Sequence, residues 1–343
     1  AREYFDHKPV RMPELGLSAT WSRPERRTIV TTMKNEGPFI LEWIAHHRAI
    51  GFTDFLIYTN DCTDGTDAIC DAIALHDPDF IHIHNTLSPG DVPQIKGMER
   101  VFSHPVIADV DYLLHCDADE FLNVFCGAGR VSDLLDVTGP KDCIALAWRP
   151  FGDAGHKRWT GGLVTEKCTL STPKLRPGFT VHKSLFRPSQ FAWATDHMPK
   201  MPRSKKVSLV NAKGEPMPNA SLFNPRHARF RRASAELFTW DNACIHHHAI
   251  RSEDVFLMKN QRGDGMARET QRYYLNSKFW RRNNMNRVSM NVDAGHRDAL
   301  RQGVARLQEI ADVQQIEARA ITDFQVARDR FLTPEMVAQL TLD

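Results

Sequence analysis

The sequence predicts an α/β fold, a mostly parallel sheet with helices on both faces, followed by a helical C-terminal tail. Three observations predict it. Short apolar and β-branched runs alternate with segments of helical spacing from Thr28 to Leu122. Polar clusters fall where the runs stop, at the carboxyl ends where open α/β sheets bind ligands. Residues 298–319, finally, carry Leu300, Val304, Leu307, Ile310 and Ala311 at helical spacing with no strand pattern among them.

Residues 1–25 carry Pro9, Pro13 and Pro24 and read as a lead-in segment. Thr28–Met33 is a β-branched strand that stops at Lys34-Asn35-Glu36-Gly37-Pro38. Pro38 suits a helix start, and Phe39, Ile40, Trp43, Ile44 and His47 then share one helical face. Asp54–Tyr58 is the next strand; it breaks at Thr59–Thr66, and a helix follows through Ile69, Ile73 and Leu75. Phe80–His84 is a third strand, and a helix near Ile95–Ala108 leads to a fourth at Tyr112. Ala145–Trp148 and Val181–Pro188 read as later strands, and a last helix follows Pro334.

The stretch with the most chemistry is Tyr112-Leu113-Leu114-His115-Cys116-Asp117-Ala118-Asp119-Glu120-Phe121-Leu122. A buried apolar run ends on three carboxylates. In extended chain Asp117 and Asp119 point to one side, and two hard oxygen ligands can hold a divalent cation with positions left for a phosphate. Asp77-Pro78-Asp79 and Asp109-Val110-Asp111 share the spelling, but only Asp117/Asp119 caps a buried strand. Neither Gly-x-Gly-x-x-Gly after the first strand nor Gly-x-x-x-x-Gly-Lys is present. A nucleotide's phosphates would therefore need another counter-charge, which a metal at the two aspartates supplies.

Composition sets the frame. The 343 residues carry a net charge of +2, with 42% hydrophobic and 25% charged residues, ordinary for a globular protein and without the field a nucleic-acid partner needs. No apolar run is long enough to span a membrane, and the first residues lack an apolar leader region. Seven cysteines without a Cys-x-x-Cys pair suggest reduced thiols and a cytoplasmic location, or one at the inner face of the membrane.

Taken together, Thr32-Met33-Lys34-Asn35-Glu36, Glu42–His47, Gly51-Phe52, Asn60–Thr66 and Asp117–Phe121 resemble, in order and spacing, the family 2-like glycosyltransferases. The nearest resemblance is to a bacterial subgroup similar to family 92, over residues 26–260. It implies a GT-A fold, with a nucleotide-sugar-binding half over 26–150, an acceptor half over 151–260, and a helical C-terminal region at 261–343 outside the resemblance. It implies also that Asp119 binds Mn²⁺ or Mg²⁺ directly, that Asp117 reaches ribose or metal, and that Thr32, Asn35, Glu36, Asp61, Asp64 and Gln94 hold the nucleoside. Phe151-Gly152-Asp153-Ala154-Gly155-His156 is similar to the family's Phe-Gly-x-x-Gly-His loop, and Lys183 stands on a family strand where it can pair with diphosphate.

The run Asn242–Ser252 resembles the family's Asn-His-Tyr segment, which puts His247 in the place of a third metal ligand. Strand alternation sets His246 and His248 on the opposite face, so the register decides between them. Inversion requires a general base for the acceptor hydroxyl, with Asp153, Glu166 and Asp241 as candidates. The cations of 198–232, Lys200 among them, read as a solvated loop, with an anionic acceptor or lipid headgroups as the alternative. The expected activity is transfer from a nucleotide-diphosphate sugar, UDP-linked, to a glycan, lipid or small-molecule acceptor. The rivals are a nucleotidyltransferase, which would need a basic glycine-rich loop after the first strand, and a non-catalytic carbohydrate-binding protein. The oligomeric state is open.

Overall fold

The computed structural model describes residues 25–175, 181–227, 229–230, 235–263, 273–290 and 294–342. Its first half is the expected alternation. Strand β1 (Arg27–Met33) leads to helix α1 (Ile40–Ala49), β2 (Asp54–Thr59) to α2 (Thr66–His76), and β3 (Phe80–His84) to α3 (Pro93–Ser103). Two strands then follow on a tight turn, β4 (Tyr112–His115) and β5 (Glu120–Val124), before α4 (Val131–Thr138) and the long β6 (Cys143–Pro150). A one-turn α5 (Val164–Lys167) precedes β7 (Leu170–Ser171), β8 (His182–Phe186), the hairpin β9 (Phe191–Ala194) with β10 (Pro199–Pro202), and β11 (Leu209–Asn211). Then come β12 (Ala243–His247), α6 (Glu253–Arg262), α7 (Lys278–Asn283), β13 (Val288–Ser289) and three C-terminal helices, α8 (Ala294–Gln308), α9 (Val313–Phe331) and α10 (Pro334–Gln339).

One nine-stranded sheet runs β3-β2-β1-β4-β8-β6-β12-β5, with β11 beside β6. The β3-β2-β1-β4 run is parallel throughout, whereas β8 is antiparallel to both its neighbours. Because β8 enters between β4 and β6, and β12 between β6 and β5, the segments before and after residue 150 share one sheet. Its interior strands bury both faces, which is why they read as unbroken apolar runs. Ile29 and Ile57 face a core closed by α1 and α2, and Val30, Leu56 and Tyr58 face another closed by Met98, Val101 and Phe102 of α3.

Four local expectations change. Helix α1 is buried on every side from Ile40 to His47, because α8 covers the face that the sheet does not. Gly303 of α8 makes that fit possible, since a Cβ there would lie 3.0 Å from the Cβ of Ala45. The helix expected at 95–108 stops at Ser103, and Pro105 opens a separate 3-10 turn. The helix expected across 298–319 is two, broken where Asp312 takes a left-handed φ of 68°. Leu75, placed on the core face of α2, is 83% exposed, because it lies about 200° round the helix from Ile73. All seven cysteines are free thiols, and no helix among the described residues is long and apolar enough to cross a membrane.

Candidate active site

Beyond the carboxyl ends of β1, β2 and β4 lies a cleft of about 440 Å³. The β4–β5 turn forms its floor. Three groups fix that turn: the Trp43 indole donates to the Asp117 carbonyl at 3.0 Å, the Arg251 guanidinium to the Ala118 carbonyl at 2.8 Å, and the Asp117 amide to Glu120 Oε2 at 3.1 Å. The two aspartates therefore stand at set positions before any ligand arrives.

They do not stand alone. Lys183, wholly buried on β8, donates to Asp117 Oδ2 at 2.9 Å, to the Asp196 carbonyl at 3.1 Å and to His115 Nδ1 at 3.3 Å. Lys259, on α6, donates to Asp119 Oδ2 at 2.7 Å and to the Ala249 carbonyl at 2.7 Å. Burial works against ionisation of Asp119, but the Lys259 ammonium, His247 and Arg251 outweigh it and hold its carboxyl well below the usual range. For Asp117, burial is likewise outweighed by Lys183, and its carboxyl is lowered. Lys183 is raised in turn, because Asp117 and Glu120 overcome its desolvation. Glu120 has no exposed surface, and burial drives its carboxyl well above the usual range despite Lys183 beside it.

The histidine register is settled by β12. His247 turns its ring to the cleft, 4.0 Å centroid to centroid from Trp148, with Nε2 3.6 Å from Asp119 Oδ1. His246 and His248 point to the other side, where both rings pack on Phe151 at 4.4 and 4.6 Å. Burial pushes the His247 imidazole down to about 4, so it is neutral at physiological pH, the form a metal ligand needs. The Asp119 Oδ1 and His247 Nε2 atoms are close to the roughly 3 Å separation of neighbouring octahedral ligands on a Mg²⁺- or Mn²⁺-sized ion. This pair fits a divalent cation with positions open to the cleft. Asp117 turns its oxygens to Lys183 and Gln94 instead.

Of the other expected residues, Thr32, Glu36, Asp61 and Gln94 line the cleft, together with Asn60. Glu36 is held by two guanidiniums, Arg251 at 2.8 Å and Arg262. Asn35 and Asp64 lie behind the wall. Asn35 joins Thr63, and Asp64 accepts from the Gly37 amide at 2.8 Å and from the Thr66 hydroxyl at 2.6 Å, tying the loop after β1 to the loop after β2. Lys183 reaches the site only through Asp117.

None of the three candidate bases lines the cleft. Asp153 is buried among amides, accepting from Asn284 at 2.9 Å, Asn286 at 2.8 Å and the Gly155 amide at 2.9 Å. Gly152 leaves room for that loop, because a Cβ there would meet the Asn286 amide at 2.1 Å. Glu166 forms a two-pronged pair with Arg301 and Asp241 an exposed pair with Lys213 at 2.7 Å. Lys200, expected in solvent, is instead buried, its ammonium donating to the carbonyls of Ser221, Asn224 and His227.

The reading of the residues missed Arg262, Tyr273, Phe279 and Asp91, all on the cleft wall, and the role of Lys259. Lys259 sits seven residues after Ser252 on a helix whose buried face includes Phe256, so the one-face spacing was the available signal.

The chain is 25% identical over 184 residues, 51% of its length, to a glycosyltransferase family 92 protein of Ricinus communis. It is 28% identical over 177 residues, 49% of its length, to another of Oryza sativa subsp. japonica. The matched segments make up 31% and 28% of those relatives' own length. No protein-family model matches the chain. Both relatives are plant proteins of family 92, and the family 2 and bacterial parts of the resemblance stay expectations. Among solved structures, the mannosyltransferase PcManGT from Pyrobaculum calidifontis in complex with GDP-Man and Mn²⁺ aligns over 43% of this chain and 41% of its own, at 15% identity and a TM-score of 0.27. The mannosyltransferase Ktr4p from S. cerevisiae aligns over 44% and 47%, at 11% identity and 0.24. At these scores the likeness decides nothing about function.

Proposed function

We propose that the chain is a glycosyltransferase that uses a divalent metal and a nucleoside-diphosphate sugar, UDP-linked, and transfers the sugar to a hydroxyl acceptor with inversion. One observation carries the reading. The Asp119–His247 pair opens onto the cleft at the strand ends, with the cations Lys259 and Arg262 beside it. A two-ligand seat flanked by fixed positive charge suits a diphosphate, whose oxygens complete the coordination. The family 92 relatives support the same class of chemistry.

In this reading Asn60, Asp61 and Thr32 hold the nucleoside, and Asp117, anchored by Lys183 and Gln94, presents a fixed acceptor to a ribose hydroxyl. Arg262 and Lys259 neutralise phosphate oxygens, and Glu36 sets the position of Arg262. Mn²⁺ or Mg²⁺, when bound at Asp119 and His247, would supply the charge that stabilises the departing diphosphate. The ring of Trp148 beside His247 offers an apolar face for the sugar. Asp91 is a cleft carboxylate with no basic side chain against it among the described residues, and we assign the acceptor's general base to it.

The test is a panel of UDP- and GDP-sugars, incubated with Mn²⁺ and mixed hydroxyl acceptors, with free nucleoside diphosphate as readout. The expected result is Mn²⁺-dependent release that Asp119→Asn abolishes while the variant still unfolds in one cooperative transition. Pyrophosphate as product would make the chain a nucleotidyltransferase. No turnover and no nucleotide binding would leave the non-catalytic reading.

A further inference from the structure

A second group of metal-ligating side chains lies outside the cleft, on the edge of the sheet. His82 and His84 alternate on β3, so both rings leave the same face, with centroids 4.6 Å apart. Asp71, the sixth residue of α2, meets both: Oδ1 stands 2.6 Å from His82 Nδ1 and Oδ2 stands 3.2 Å from His84 Nε2. No other group among the described residues brings three donor atoms of this kind within 4.8 Å of one another. None of the three lines the cleft.

We propose that Asp71, His82 and His84 form a zinc site that joins α2 to the edge strand β3. The donor set is two imidazoles and one carboxylate, which suits Zn²⁺ better than the hard, oxygen-seeking ions expected in the cleft. Tetrahedral ligation at bond lengths of about 2.1 Å puts ligand atoms about 3.4 Å apart, so the observed separations need to open by less than about 1 Å. His82 supplies a built ligand, since its side chain is only 1% exposed and its other nitrogen, Nε2, meets the Thr59 hydroxyl at 2.8 Å. With zinc in place of the Nδ1 proton, that hydroxyl would accept the Nε2 proton and leave the Nδ1 lone pair to the metal, the arrangement that orients metal-bound histidines. Asp71 and His84 are 53% and 60% exposed, which gives an ion its entry and leaves the fourth position to water.

The experiment strips the full chain with EDTA, removes the chelator, and titrates Zn²⁺ alone by calorimetry, with Co²⁺ absorption as the geometric readout. The wild type is expected to bind one more equivalent of Zn²⁺ than His84→Asn, and that equivalent to show the intense visible bands of four-coordinate Co²⁺. Asp71→Asn should lose the same equivalent. Thr59→Val, which removes the orienting hydroxyl and no ligand, should weaken it by at least about tenfold. His84 and Asp71 are exposed, so their variants fold, and an unchanged apo melting temperature verifies it. Identical isotherms for the wild type and His84→Asn overturn the proposal, as does a lost equivalent that follows Asp119→Asn instead.

Discussion

Lys183→Met isolates the device that sets Asp117. The substitution keeps length and volume but removes the charge and the donors to Asp117, the Asp196 carbonyl and His115. Removing one member of a fully buried pair costs about 3–5 kcal/mol, because the partner's charge is left uncompensated. The Lys183 side chain is wholly buried and that of Asp117 is 26% exposed, so water relieves part of the loss and about 3 kcal/mol is expected. Asp117 is held below its ordinary range against burial, by Lys183, so this stability is present above about pH 4 and lost as pH falls through the folded value. Urea unfolding followed by tryptophan fluorescence at pH 7.5 sits inside that window. A double-mutant cycle with Asp117→Asn should return a coupling of about 1–3 kcal/mol. A loss below about 1 kcal/mol with no coupling would refute the view that Lys183 holds Asp117, and would return the lysine to the role of a direct phosphate ligand.

Three further outcomes are expected. UDP should raise the melting temperature in Mn²⁺ and much less in EDTA, since the sequence carries neither Gly-x-Gly-x-x-Gly after the first strand nor Gly-x-x-x-x-Gly-Lys; equal shifts would place the phosphates on Lys259 and Arg262 alone. His247→Ala should lose Mn²⁺-dependent turnover and recover part of it at high Mn²⁺, whereas His246→Ala and His248→Ala, which unpack Phe151, should lower stability by about 2–4 kcal/mol and keep the metal dependence; the opposite pattern would reverse the assignment. The buried His47 has its pKa pushed down to about 3 by burial, while the unfolded chain takes up its proton near pH 6.5, so unfolding free energy should fall as pH drops below about 6.5. His47→Leu should make that slope shallower by up to about 1.4 kcal/mol per pH unit, read by urea titration at several pH values.

The parallel half of the fold was legible because its interior strands are buried on both faces and its helices are bounded by proline and glycine. Pattern reached the acidic turn because it caps a buried strand, but it set Asp117 and Asp119 to one side of an extended chain, whereas the turn sends Asp117 to Lys183 and Asp119 to Lys259 and His247. Alternation alone left His247 and the His246/His248 pair both open, and the resemblance favoured His247. Pattern did not reach the partners that cross the chain. Lys259 meets Asp119 across 140 positions and Lys183 meets Asp117 across 66, and nothing local marks either lysine as buried. Asp153 looked like a base because it stands in a glycine-framed loop, yet its acceptors are filled by Asn284 and Asn286 from far along the chain. The break at Asp312 was hidden because apolar spacing continues across it.

The C-terminal helices do more than cover α1. A Cβ on Gly37 would meet the Ala320 Cβ at 2.9 Å, and one on Gly65 would meet Ile316 at 2.9 Å, so α9 rests on the base of both loops that lead into the cleft. Asp64 already laces those loops together. The outward face of α9 is thus a lever arm on the two loops beside the cleft. Prying that helix away, by a nick at the Asp312 bend or by an antibody against its exposed surface, should slacken both loops in one motion, and under the proposed reading nucleoside-diphosphate affinity would shift with them.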